Sequence, residues 1–476
     1  MVHNAKSSDG GGGGRLAALI AKRATESPEA HFLEDARSER VVRYGDLAEL
    51  PARAVALGAD GAVLIAAPDP IDFALSYLGA LAAGLWVVPV APDSPDAALA
   101  KLQQRLPGRS TVVRSLADLP DAAGVNAAPA APGTTVLFTS GSTGTPKGVE
   151  LSEQQLLHVA HAVASHNGLT AVDRGYNSLP LFHINAEVVA VLASLVAGSA
   201  LVLDRRFHRT GFWELMRAQR ITWINAVPAM LAILANEPLD APPGLRFIRS
   251  ASAPLPGPVA AAFADVPLVT SYGMTEAASQ ITATPLDGSA PAGSVGRAVG
   301  VELETRDEDG APLPPASVGS IWIRGPGVIS HYFRDVAADR FDGDGWLSTG
   351  DLGSVDADGF VTVVGRSDDV INRGGELVYP ADVENVLLAD PRVREAVVVG
   401  KPDGVLGQVP VAYVVQVDDD ETDAASLAAA LTERAAAELP RHLRPAEVVV
   451  SADLPRAATG KVQRARLRSA LAEGEK

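Results

Sequence analysis

Residues 61–90, GAVLIAAPDPIDFALSYLGALAAGLWVVPV, constrain the fold of this chain more than any other stretch. GAVLIAA is a short apolar run of strand character, FALSYLGALAAG is an apolar run of helical length closed by Gly84, and VVPV returns to strand. Two strands separated by one helix must lie parallel, with the helix covering a face of their sheet. Phe73–Ala91 is long enough by count to cross a bilayer, but Gly84 and Pro89 interrupt it. The spacing therefore predicts a buried helix over Ala74–Ala83 and a buried strand over Trp86–Val90, with no membrane span. The same alternation runs through most of the chain, without an internal repeat. It predicts an α/β fold whose large N-terminal domain is built of helix-covered mixed sheets.

After about Trp346 the rhythm changes. LGSV and FVTVV flank Asp356–Gly359, a turn-forming D-A-D-G, and read as a hairpin. A stretch rich in glycine and charge follows, GRSDDVINRGG. A smaller α+β unit then runs to the end: strands AVVVG and VPVAYVV, a helix from about Ser426 to Leu439, the strand EVVV and a basic tail helix. The boundary is expected near Arg366–Asp368, giving a disordered tail over 1–14, an N-terminal domain over 15–366 and a C-terminal domain over 367–476.

Composition narrows the function classes. A net charge of −17 on 476 residues leaves no chain-wide basic field, so neither nucleic acid nor an anionic membrane is the expected partner. Absence of cysteine rules out disulfides, thiolate metal sites and a cysteine nucleophile. The start, MVHNAKSSDGGGGG, lacks the apolar centre of a signal peptide, and a cytoplasmic location is the expectation.

One loop carries phosphate chemistry on its face. TSGSTGTPKG, Thr139–Gly148, combines glycines at 141, 144 and 148 with hydroxyls at Thr139, Ser140, Ser142, Thr143 and Thr145 and the charge of Lys147. It is not a Walker loop: Gly141 is followed five residues later by Pro146, and Lys147 by Gly148. The strand TTVLF enters it, but the next helix starts only at Ser152, an N-cap with Gln155 closing a capping box. Hydroxyls and backbone amides would hold phosphate here without an adjacent helix dipole. Composition alone leaves a plain solvent loop open as well.

Five further motifs follow in order: PLFHINAE (Pro180–Glu187), SYGMTEAA (Ser271–Ala278), STGD (Ser348–Asp351), GRSDDVINRGGELVYPADVENVL from Gly365, and PRAATGK ending at Lys461. With the loop, this ordered set resembles the adenylate-forming superfamily of acyl-CoA synthetases, peptide-synthetase adenylation domains and luciferases. The resemblance covers about residues 15–470 and is most like AMP-forming acid–CoA ligases.

The resemblance implies a role for each motif. Thr139, Ser140, Gly141, Ser142, Thr143, Gly144, Thr145 and Lys147 would grip the pyrophosphate half of ATP. Ser271, Tyr272, Gly273 and Met274 would line the nucleotide, with the Tyr272 ring stacked on adenine, and Thr275 would donate to the α-phosphate. Glu276, helped by Thr139, would ligate magnesium. Asp351 and Arg366 would bind ribose. Ser252, Ala253 and Pro254 would border adenine and the acyl pocket. Lys461 would offset the charge that builds as the acid attacks the α-phosphorus. His183 would face the acid carboxylate, in a pocket walled by Asn185, Glu187, Val227, Ser252 and Met274. Asp368 would be the hinge about which a mobile C-terminal domain turns, and Gly374 and Gly375 would then border the thiol tunnel.

The implied reaction uses ATP, Mg2+ and coenzyme A. It activates a small-molecule acid as acyl-adenylate and then forms a thioester. A stand-alone enzyme passing its adenylate to a carrier protein, an amine or another nucleophile stays open on sequence alone, as do an unusual oxyacid substrate, a non-catalytic nucleotide-binding protein, and a monomer or a homodimer. Asn372 stands where relatives often carry lysine, and Asp204–Arg209 and Arg441–Arg444 are the candidate basic patches for the coenzyme A phosphates.

Overall fold

The computed structural model describes residues 14–57, 61–122, 131–139, 147–334, 340–417, 422–456 and 462–473. The strand–helix–strand unit is present as Ala62–Ile65, Pro70–Ala82 and Trp86–Pro89, with the strands parallel from Ala62↔Trp86 to Ile65↔Pro89. The helix begins four residues before the predicted start. Asp69 caps it, accepting from the Ile71 and Asp72 amides, and Pro70 sits at its first position, where no amide is needed. Ile71 and every residue from Phe73 to Ala82 are buried, and each large apolar side chain among them contributes roughly 1.5–3 kcal/mol.

Two large sheets form the N-terminal body. One orders Thr111–Val113, Ala62–Ile65, Trp86–Pro89, Thr134–Thr139 and Lys147–Ser152, parallel except for its last pair. The other has nine strands in the order Arg297–Ala298, Thr282–Ala283, Leu268–Tyr272, Phe247–Ala251, Trp223–Ala226, Arg174–Asn177, Ala200–Leu203, His31–Asp35 and Val41–Arg43. Its centre, from Leu268–Tyr272 to His31–Asp35, is parallel, so six strand C-termini open on one edge.

Between the sheets runs the helix Glu153–His166. Ser152 caps it and Gln155 closes the box, as the sequence predicts. The buried Glu153 carboxylate accepts from the Leu16 amide at 3.1 Å, placing a negative charge at the start of the helix Arg15–Glu26. A four-stranded antiparallel sheet follows, Glu302–Arg306, Gly319–Arg324, Leu347–Val355 and Val361–Arg366; its last hairpin turns at Asp356–Gly359, where Gly359 has φ +84°.

The smaller C-terminal domain starts with the hairpin Ile371–Arg373/Glu376–Val378. Gly374 and Gly375, at φ +64° and +93°, supply its two-residue turn, a conformation that side chains resist. Gly407–Gln416 lies between that hairpin and Val393–Asp403, with Glu447–Ser451 parallel on it. The helices Pro380–Leu388 and Ala424–Glu438 pack on one face and Arg464–Glu473 on the other. The fold class is thus the one the motifs implied. No helix among the described residues is long and apolar enough to cross a membrane.

Candidate active site

The ends of the central parallel strands bring the motifs together. Leu268–Tyr272 runs directly into Gly273, Met274 and the turn Thr275–Ala277. Tyr272 donates to Asp351 Oδ2 at 2.5 Å, and Arg366 Nε contacts Asp351 Oδ1 at 2.9 Å. Asp351 and Arg366 are cross-strand neighbours in the antiparallel sheet, so backbone register sets their pairing. Burial, and then the Asp351 charge, push the Tyr272 hydroxyl above its usual range, so it stays a donor at neutral pH. This leaves a carboxylate with a guanidinium beside it, a set suited to a sugar diol.

Glu276 is 9% exposed and accepts at Oε1 from the Tyr332 hydroxyl at 2.9 Å and from Arg340 Nη1 at 3.3 Å. Its Oε2 takes no hydrogen bond from the described residues. Lys147 Nζ lies 5.3 Å from the Tyr332 ring centroid, which joins the end of the glycine-rich Thr139–Gly148 stretch to Glu276 through one aromatic ring. The strand pair places Thr139 opposite Lys147; the Thr139 side chain, Ser140, Gly141, Ser142, Thr143, Gly144 and Thr145 lie outside the described residues, as does Lys461. Among the described residues no group of three or more acidic or histidine side chains could hold a metal alone. One carboxylate with an unused oxygen, linked through Tyr332 to Lys147, does fit magnesium, which takes one or two carboxylates plus substrate phosphates.

PLFHINAE turns at His183 and enters a π-helix over Asn185–Leu192. This separates two side chains that a strand would align. Asn185 faces the sheet edge, donating to Ser252 Oγ at 3.5 Å, whereas Glu187 is 1% exposed, accepts no hydrogen bond and acts on the ionisation of buried Tyr77. Burial pushes the Glu187 carboxyl well above the carboxylate range, so it is a neutral acid in the core. His183 is half-buried with its ring 4.4 Å from that of Phe182. Ser252 is exposed at φ +78°, with Ala253 and Pro254 exposed beside it, and Val227 is the N-cap of the helix Pro228–Leu234.

Arg249 was not singled out from the sequence. It lies on Phe247–Ala251 and is 1% exposed. In register with it on the neighbouring strands are Asn225 and then Asn177, a polar row across an apolar sheet linked by Asn225 Nδ2 donating to Asn177 Oδ1 at 3.0 Å. Ser271, expected at the nucleotide, has its hydroxyl buried in this network, donating to the Thr282 carbonyl at 2.8 Å. The signal was readable as an asparagine in GYN and in WINA and an arginine in FIRSA, but only strand order aligns them.

The remaining candidates are held by partners of their own. Asp368 lies in a short turn, Ser367–Asp369, where its carbonyl and the Asp369 carboxylate both accept from Arg468. In the basic run 204–209, Arg205 pairs with Asp69, Arg209 with Glu237, and Asp204 with Arg37. The carbonyls of Arg441, His442 and Arg444 accept from Arg373.

Comparison with known proteins gives the class. The model of the AMP-binding enzyme family matches residues 114–333, and that of the AMP-binding enzyme C-terminal domain matches residues 382–461. Sulfoacetate–CoA ligase from Cupriavidus necator is 36% identical, over 95% of this chain and 97% of that protein. The 2-succinylbenzoate–CoA ligase of Bacillus subtilis is 37% identical over 71% of this chain and 68% of that protein. Among solved structures, ATP-bound MatB from Rhodopseudomonas palustris matches with a TM-score of 0.87 at 26% identity, covering 97% of this chain and all of that one. The o-succinylbenzoate CoA synthetase of Bacillus subtilis in complex with its acyl-adenylate intermediate matches at 0.83 and 29% identity, covering 94% and 97%. The chain belongs to the AMP-binding enzyme family.

Proposed function

We propose that this protein is an AMP-forming acid–coenzyme A ligase that uses ATP and Mg2+. The observation that carries the reading is the meeting of residues from three sheets around Tyr272–Glu276, namely Lys147 by way of Tyr332 to Glu276 and Asp351 with Arg366 at Tyr272, in a chain similar along nearly its whole length to a CoA ligase. Asp351 and Arg366 hold the ribose, Tyr272 borders the adenine, and the loop ending at Lys147 holds the β- and γ-phosphates. Glu276 Oε2, with Thr139, would hold magnesium, whose charge offsets that of the phosphates when it is bound. Thr275 donates to the α-phosphate, His183 positions the acid, and Lys461 stabilises the in-line displacement that releases pyrophosphate. The thiol of coenzyme A then attacks the acyl carbon, and AMP leaves. Residues 15–366 form the adenylating domain and 367–476 the lid that turns at Asp368, bringing Gly374 and Gly375 to the thiol path. The acid is small, in keeping with relatives that act on sulfoacetate and oxalate.

The hinge separates the two half-reactions. Asp368→Pro is expected to leave pyrophosphate release from acid plus ATP within about threefold while slowing thioester formation by about a hundredfold, because proline fixes one backbone dihedral of the turn. Rapid-quench assays of each half-reaction check this. An unaffected thiol step contradicts the hinge, and release of AMP that never requires coenzyme A contradicts the ligase.

A further inference from the structure

Arg249 is a charge without a counter-charge. Its guanidinium donates only to neutral groups: Nη1 to Asn185 Oδ1 and Asn225 Oδ1, both at 3.2 Å, Nη2 to Ser271 Oγ at 2.9 Å and Gln280 Oε1 at 3.3 Å, and Nε to Gln280 Oε1 at 3.4 Å. No acidic side chain among the described residues pairs with it, and burial alone lowers it to about 9, still cationic at neutral pH. A buried charge whose only partners are amides and a hydroxyl is strongly unfavourable, and apolar residues would hold these strands together at lower cost. The neighbouring strand shows how: Val269, in register with Arg249, is fully buried hydrocarbon.

The position gives the charge a use. Arg249 lies just before the exposed Ser252–Pro254 stretch, at the edge where the other motifs converge. Asn185 is half-buried and touches both: its Oδ1 accepts from Arg249 and from Asn225 Nδ2, each at 3.2 Å, and its Nδ2 makes a weak 3.5 Å contact with Ser252, so a rotation of this one side chain uncovers the guanidinium. An anion entering past Asn185 exchanges a long amide contact for a charge-assisted, bidentate one, roughly twice as strong. The reacting carboxylate of the acid is committed to the α-phosphorus, so it cannot also meet Arg249.

We propose that Arg249 binds a second, distal anionic group of the acid, a sulfonate or carboxylate, and so makes the enzyme selective for short acids carrying two negative charges. This rests on the ligase reading for the identity of the site, but its test does not depend on turnover. Equilibrium binding of sulfoacetate and of propionate is measured by calorimetry in the presence of Mg2+ and a non-hydrolysable ATP analogue. The wild type is expected to bind sulfoacetate about a hundredfold more tightly than propionate. Arg249→Met should abolish that preference while propionate and the ATP analogue bind as before, and Arg249→Lys should keep part of it, as a point charge without the bidentate fork. A wild type that binds both acids equally overturns the proposal, and so does an Arg249→Met variant that weakens both alike. Should Arg249→Met fail to fold, Arg249→Lys decides: an undiminished preference, or equal weakening of both acids, contradicts the assignment. Thioester formation, assayed separately with coenzyme A, tests the ligase reading whatever the binding result.

Discussion

Lys461→Ala is expected to slow adenylate formation by about 10²–10³-fold and to leave thioester formation from preformed acyl-adenylate within about tenfold. Acid attack on the α-phosphorus spreads negative charge over the phosphoryl and leaving oxygens. A cation placed there stabilises the transition state more than the ground state. The second half-reaction develops charge on the acyl carbonyl oxygen and the departing AMP instead, after the lid has turned. The structure shows how the flanks of the final motif are anchored: Arg456 and Val462 bridge, the Gln463 amide donates to the Pro455 carbonyl, and Arg456 pairs with Glu395 at 2.6 Å. Pyrophosphate release in a single turnover, beside AMP release from synthetic adenylate plus coenzyme A, separates the two steps. Equal loss in both would remove Lys461 from its assigned role.

Gly273→Ala is expected to damage the fold and the site together. A Cβ at Gly273 would lie 1.6 Å from the Ser279 carbonyl oxygen, 2.7 Å from its carbon and 3.1 Å from Gln280 Cα, all backbone atoms. The opposing segment cannot easily give way, because Ala278 and Ser279 already hold φ of +48° and +99° and the Ser279 amide is tied to the Met274 carbonyl. Overpacking of this kind costs about 1–3 kcal/mol or more, so the unfolding temperature should fall by several degrees. Activity should fall further, since the displaced turn carries Tyr272, Thr275 and Glu276. Gly257→Ala is the control: a Cβ there meets nothing within 4 Å. Matching thermal unfolding curves and turnover for Gly273→Ala and wild type would contradict the prediction.

Local chemistry was legible wherever it acts within a few residues. The Ser152–Gln155 capping box, the turn at Asp356–Gly359 and the apolar strand–helix–strand at 61–90 are all settled by neighbours in sequence, and the structure contains each. The motif order carried the family because six short stretches in sequence order are far more specific than any one of them. What escaped was chemistry made by register. Arg249, Asn225 and Asn177 are distant in sequence and meet only because their strands lie side by side. Tyr332 and Arg340, which hold Glu276, also come from a segment distant in sequence and meet it only through tertiary packing. The π-helix at Asn185–Leu192 separates Asn185 from the buried Glu187, which the resemblance had placed together in the pocket wall.

Isotope transfer tests the central claim most directly. Sulfoacetate labelled with heavy oxygen in its carboxylate is incubated with ATP, Mg2+, coenzyme A and the enzyme, and the products are weighed by mass spectrometry. An acyl-adenylate leaves one carboxylate oxygen on the phosphorus when the thiol displaces AMP. The account therefore predicts AMP carrying a single heavy oxygen, with a matching amount of thioester. Thioester accompanied by ADP and labelled inorganic phosphate, or AMP without label, would contradict it.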